Sequence, residues 1–198
     1  MREAFFHEDD YCQIEILPLD NLSFCLEQAG QIDEFSKEHR VGSSWDAMYI
    51  RAENPAKLAS LRLTLSQIRD ALAAEMPEFD SVLTGYSSYR EPCPNVHGFG
   101  RDDSEVIFVE AADDQIVTAL WCSDPMPELQ RLPRREHLLL ADWGWSFICP
   151  LEDTERFNIY LSERERVFRE LAEKWEAERQ ARGEVTRPEE KKRWWKFW

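Results

Sequence analysis

Two β-rich runs, EVIFVE at Glu105–Glu110 and QIVTALW at Gln115–Trp121, are separated only by Ala111 to Asp114. A connection that short cannot carry a crossover, so strands on either side of it must pair antiparallel as a hairpin. β-Branched and aromatic side chains fill both runs, and Asp113 and Asp114 supply turn chemistry. An antiparallel sheet is therefore the element to which every other segment has to be fitted.

Further strands follow from partial alternation. Tyr11 to Leu17 (YCQIEIL) reads as a strand closed by Pro18, and short strands are expected at Met48 to Arg51 and Val82 to Thr84. His137 to Cys149 reads as one longer strand, with Asp142 and Gly144 marking a bend and Asp142 facing solvent across the pleat.

Helices follow from the other period. Leu22, Cys25, Ala29, Ile32 and Ser36, broadened by Leu26 and Phe35, recur at helical spacing, and Gly42 supplies a stop just beyond Arg40. Asn54-Pro55 reads as a cap followed by proline at the first helical position. From there Leu58, Leu61, Leu65, Ile68, Leu72 and Met76 predict one continuous helix ending before Pro77. Ser162 and Glu165 have capping-box spacing, so a third helix is expected from Ser162 to Gly183, with Phe168, Leu171 and Trp175 as its buried stripe. Together these predict an α+β fold, an antiparallel sheet with three helices packed on it, as one domain over residues 1–185.

Charge divides the chain. The net charge is −15 over 198 residues. Residues 187–198 hold five cations against Glu189 and Glu190, a net +3, which leaves −18 on the rest. Residues 186–198 thus form a basic aromatic tail behind the charged connector Glu184 to Lys192. Arg193, Trp194, Trp195, Lys196, Phe197 and Trp198 are residue types that favour a lipid headgroup region, so weak membrane contact or partner docking is the expectation there. The acidic body would repel nucleic acid. With 43% hydrophobic and 12% aromatic residues the chain is too apolar for a disordered acidic segment. Cys12, Cys25, Cys93, Cys122 and Cys149 are odd in number and mostly within apolar runs, which reads as reduced core thiols. With neither a signal-peptide core nor an apolar run long enough to span a membrane, a cytoplasmic protein is expected.

Enzyme signatures are missing. There is no G-x-S-x-G, no phosphate-binding G-x-x-x-x-G-K-[ST] and no H-E-x-x-H. Cys93 and His97 stand four apart without two further ligands, so neither a metal site nor a cofactor is expected. The candidates are instead binding residues. Gly85 to Ser104 (GYSSYREPCPNVHGFGRDDS) reads as a long recognition loop, with Tyr86, Tyr89, Arg90, His97 and Phe99 as partner anchors. Ser123 to Glu136 is a lesser loop of the same kind. Acidic groups beside predicted strands, Asp9 and Asp10 with Glu8, Asp102 and Asp103 with Glu105, Asp113 with Asp114, and Glu152-Asp153-Glu155, are expected to converge on one sheet edge and attract a basic partner.

In this character the chain resembles the bacterial immunity proteins of polymorphic-toxin and type VI secretion systems, small acidic cytoplasmic partners that block the toxin of a neighbouring gene. The acidic body, the missing catalytic motifs, the mixed fold and the loop GYSSYREPCPNVHGFGRDD carry the resemblance. It implies a stoichiometric inhibitor that covers the active site of a basic toxin. The competing expectation is a peripheral membrane or scaffold adaptor acting through KKRWWKFW.

Overall fold

A computed structural model describes residues 1–42, 44–86, 88–111 and 115–182. Two compact units divide the chain, Met1–Thr154 and Glu155–Trp198. Along it run β1 (Glu3–His7), β2 (Ile14–Pro18), α1 (Leu22–Glu38), β3 (Arg40–Val41), β4 (Ser44–Trp45) and α2 (Leu65–Leu72). β5 (Ser81–Tyr86), β6 (Tyr89–Pro92), β7 (Val96–Gly100), β8 (Val106–Ala111) and β9 (Val117–Cys122) follow, then β10 (Leu138–Asp142), β11 (Phe147–Pro150) and α3 (Thr154–Ala181). The arrangement is α+β with mostly antiparallel pairing. Six strands form one sheet in the order β11-β10-β2-β9-β8-β7, and β1-β5-β6 form a second in which β1 and β5 run parallel.

Register fixes which side chains share a face. Gly98, Phe108, Trp121, Glu15, Ala141 and Ile148 stand opposite one another in a single row across all six strands. Two different layers cover that face. At the β7–β9 end, Ala4, Phe6 and Val82 of the small sheet pack with Val106, Phe108 and Trp121. The approach there is close because position 98 has no side chain: a Cβ on Gly98 would lie 3.1 Å from Ala4 Cβ and 3.2 Å from Val82 Cγ2. At the other end, Cys25 and Ala29 of α1 pack with Leu17, Leu139, Ala141 and Ile148.

Glu15 occupies the middle of the row, and its residue is 8% exposed. A buried carboxylate needs compensation. Trp143 Nε1–H donates to its Oε2 at 2.7 Å, and Arg51 Nη1 lies 3.0 Å from the same oxygen. The Arg51 guanidinium also stacks on the Trp143 ring at 4.1 Å. Burial, then the Glu15 charge, pushes the Cys12 thiol up to about 12 and the Cys25 thiol up to about 11, so both stay protonated at neutral pH. The five cysteines are free thiols.

The two halves of the large sheet share little strand register. β2 and β9 pair only at Glu15 and Trp121. Beyond that point a cavity of about 160 Å³ opens between Ile16–Leu17 and Thr118–Leu120, and Asn54 to Leu58 line its side.

Several expectations require correction. The apolar rhythm from Leu58 to Met76 is two elements, a 3₁₀ turn at Leu58–Leu61 and α2, separated where Arg62 adopts a left-handed backbone at φ 51°. The cap is Thr64: its Oγ1 accepts from Gln67 N–H at 3.3 Å, and the Gln67 side chain accepts from Thr64 N–H at 3.0 Å. Asn54-Pro55 opens no helix. Ser162 opens none either, because α3 starts at Thr154 and the Ser162 hydroxyl donates back to Asn158 O at 2.9 Å inside it; the buried residues of α3 are Phe157 and Tyr160, whereas Leu171 and Trp175 of the expected buried stripe are exposed. His137 to Cys149 is a hairpin of β10 and β11 rather than one bent strand. Asp142 is buried, and its Oδ1 accepts from Trp145 N–H at 3.1 Å in the turn. Met48 to Arg51 forms no strand among the described residues. It keeps strand alternation nonetheless: Tyr49 donates to Gln31 Oε1 at 2.7 Å and Arg51 reaches Glu15, while Met48 and Ile50 are exposed. Gly85 to Ser104 contains β6 and β7 instead of a loop.

Two stability tests follow from these contacts. Thr64→Ala should cost about 1 kcal/mol in denaturant unfolding, whereas Ser162→Ala should change stability by no more than about 0.5 kcal/mol. Arg51→Met leaves the Glu15 carboxylate without its cation and should lower stability by about 3 kcal/mol, read from the same urea curves.

Candidate functional site

The small sheet extends past the large one. Period-two alternation puts Phe6, Thr84, Glu91 and Tyr89 on its inner face and Phe5, His7, Leu83, Arg90 and Pro92 on its outer face, while Tyr86 follows Gly85, whose φ of 128° interrupts the strand geometry. Its inner face packs on the large sheet as far as Phe6, and beyond that Tyr86, Tyr89 and Glu91 are exposed. A 3₁₀ turn, Glu8–Asp10, leads from β1 to Tyr11 beside them.

Tyr11 joins this surface to the core. Its ring lies 4.9 Å from that of Trp121 and 6.2 Å from that of Phe6, yet the residue is 45% exposed. Its hydroxyl donates to Glu110 Oε2 at 3.5 Å. Tyr86 sits edge-on to His7 at 4.8 Å, and Tyr89 donates to Glu91 Oε2 at 2.6 Å.

The electrostatics are collectively negative. Burial, followed by Cys12 and Glu110, holds the Tyr11 hydroxyl well above the ordinary tyrosine value. A hydrogen bond to Glu8 raises Tyr86, and one to Glu91 raises Tyr89, with Glu8 adding to the latter. Burial, then Glu91 and Glu110, raises the Cys93 thiol. Burial raises the Asp10 carboxyl, with His7 opposing and Asp9 reinforcing. Glu110 thus acts on Tyr11, Glu8 and Asp9 on Tyr86, and Glu91 and Glu8 on Tyr89, with Asp10 beside Asp9 in the same turn.

Of the residues expected from sequence, Asp9, Asp10, Tyr86 and Tyr89 meet here. Arg90 is on the opposite face of the small sheet, stacked 4.3 Å over the Phe5 ring. Phe99 is a correction: at 1% exposed it belongs to the core and offers nothing to a partner. Asp102 and Asp103 follow β7 and precede β8, at the end of β8 away from Glu110 and Ala111. The acidic groups therefore do not converge on one edge, because Asp102 and Asp10 lie toward opposite ends of β8. Asp113, Asp114 and Arg193 to Trp198 lie outside the described residues. Tyr11, Glu91 and Glu110 belong to the surface and escaped the sequence reading. Glu110 carries the one available signal, a charge ending the otherwise apolar run VIFV.

His97 belongs to a different feature. A cavity of about 310 Å³ is lined by Arg69, Glu78, Val82, Cys93, Val96 and His97 among others. Arg69 donates to Glu78 in a fork, at 2.7 Å from Nε and 2.9 Å from Nη2, and His97 Nδ1 lies 3.0 Å from Glu78 Oε1. Cys93 opens on the same cavity, but its thiol is held protonated by burial and by Glu91 and Glu110, which opposes nucleophilic use. The described residues contain no group of three His, Cys, Asp or Glu placed to hold a metal ion. Among them, no helix is long and apolar enough to cross a membrane.

In comparisons with known proteins, no family model, no curated protein and no solved structure matches this chain.

The Arg69 hydrogen bonds, stronger than the opposing burial, hold the Glu78 carboxyl below the ordinary 4.5. A lowered carboxyl contributes stability that is complete above pH 4.5 and fades as pH falls through the lower folded value. Glu78→Gln should therefore be less stable than the parent at neutral pH, with the gap closing below pH 4.5 in urea midpoints taken across a pH series.

Proposed function

We propose that this chain is an acidic binding protein that neutralises a basic toxin by seating against it and covering its active site, as the immunity proteins it resembles do. The single observation that carries the reading is the surface built from Tyr11, Tyr86 and Tyr89 among Glu8, Asp9, Asp10, Glu91 and Glu110. Tyrosines that are part exposed and fixed by hydrogen bonds lose little side-chain entropy on binding and are frequent interface anchors. Lysine and arginine side chains fit between such rings and carboxylates by cation–π contact and charge-assisted hydrogen bonding. The net charge of −15 adds long-range attraction for a cationic partner.

Backbone pairing is not the mode that this surface favours. β6 is short, carries Arg90 and Glu91, and ends in Pro92, which are features that discourage strand addition at an edge. Side chains therefore do the recognising.

The test is binding of the purified protein to the product of the neighbouring gene, with affinity measured across a salt series. A complex that weakens as salt rises is expected. Replacing Glu8 and Asp9 by lysine should cost at least about 1 kcal/mol of affinity, while the same change at Asp102 and Asp103 should cost far less. Equal losses at both ends of β8 would remove the surface from the reading, and the lack of any complex at low salt would remove the function.

A further inference from the structure

The cavity beside His97 shares no residue with the acidic surface and has a recognition chemistry of its own. Pro77 to Phe79 pair with the outer edge of β7, through Phe79 N–H to Gly98 O at 2.9 Å and Gly100 N–H to Pro77 O at 3.2 Å. There the pairing ends, because Asp80 N–H turns away to Arg2 O at 2.8 Å and the chain passes into β5. The cavity of about 310 Å³ opens where the two segments part, with Val82, Pro92, Pro94 and Val96 in its walls. Small-molecule sites begin at about this volume.

Glu78 fixes the polar groups that face this space. Its carboxyl, held below the ordinary 4.5 by Arg69, is ionised at neutral pH and can only accept, so His97 Nδ1 carries the hydrogen between them. In the neutral ring Nε2 is then an acceptor. Arg69 Nε and Nη2 both donate to Glu78, which leaves Nη1 as a donor. Neither His97 Nε2 nor Arg69 Nη1 has a partner among the described residues. One carboxylate thus orients an acceptor and a donor on the same cavity.

Charge narrows the ligand. Arg69 offsets Glu78, while Asp80 also lines the cavity and Glu91 and Glu110 act on Cys93 in its wall. An anion would meet these carboxylates, and a cation would meet Arg69. A neutral molecule with one N–H and one C=O side by side satisfies both open atoms. Cyclic amides carry that pair on a single edge of a flat ring, a shape suited to walls of proline and valine.

We infer that this cleft binds a small neutral cyclic amide of the pyrimidinedione class, its N–H donating to His97 Nε2 and its carbonyl accepting from Arg69 Nη1.

Titration of the isotopically labelled full-length protein with thymine, followed by NMR at the His97 imidazole and the amides of Val96 to Gly98, tests this. Saturable shifts confined to the cavity are expected within the solubility of thymine. N,N′-dimethylthymine keeps the ring and both carbonyls but has no N–H, and orotate adds a carboxylate. Each should bind about tenfold more weakly than thymine, as should thymine itself to His97→Phe. A urea midpoint verifies that His97→Phe is folded. Because the N-methyl comparison uses the parent protein, it can refute the inference even where that variant does not fold. No saturable shift with thymine, or N,N′-dimethylthymine or orotate binding as tightly as thymine, overturns the inference. So does a folded His97→Phe that binds thymine unchanged.

Discussion

A charged carboxylate at the centre of a β-sheet has to be neutralised where it stands, and Glu15 imposes that demand on this fold. It sits in the row where the two covering layers of the large sheet meet, so neither the small sheet nor α1 alone encloses it. The cation comes from Arg51, on an extended segment that pairs with no strand, and the neutral donor comes from Trp143 in the β10–β11 turn. Three distant parts of the chain are brought to one oxygen atom. The Met48–Arg51 stretch is also held to α1 by the Tyr49 ring against Phe35 and by hydrogen bonds from Tyr49 to Gln31 and from Ala52 N–H to Gln28.

The same layering creates the candidate surface. Because β1 pairs in parallel with β5, the chain leaves β1 at the end where β5 meets β6, and Glu8 to Tyr11 come down beside Tyr86 and Tyr89. Phe6, Phe108 and Trp121 continue outward into Tyr11 as one aromatic column from the dry interior to the wet rim. Of the candidate residues, Tyr11 is thus mounted on packed core, which limits its side-chain freedom.

Sequence patterning revealed elements wherever burial and periodicity coincide. The β8–β9 hairpin is two buried β-rich runs around a short turn and α1 repeats at helical spacing, and both were legible. Leu58 to Met76 misled because periodicity reports burial and not continuity: Leu58, Leu65 and Leu72 are all buried, but the chain breaks at Arg62 between them. β6 was invisible because its four residues are all exposed and give no alternation. β7 was masked by Gly98 and Gly100, which look like loop residues but stand where a layer approaches too closely for a side chain. Half of the candidate surface was hidden for a topological reason. Glu8 meets Tyr86 only through a parallel pairing of strands far apart in sequence, and no local pattern encodes that.

The single residue pair joining β2 to β9 has a mechanical meaning. It leaves the large sheet as two panels, β11-β10-β2 backed by α1 and β9-β8-β7 backed by the small sheet, riveted at one residue pair, with the Leu58–Leu61 turn packed against both. Amide protons along that rivet line should exchange with solvent by a local parting of the panels, well before either panel melts.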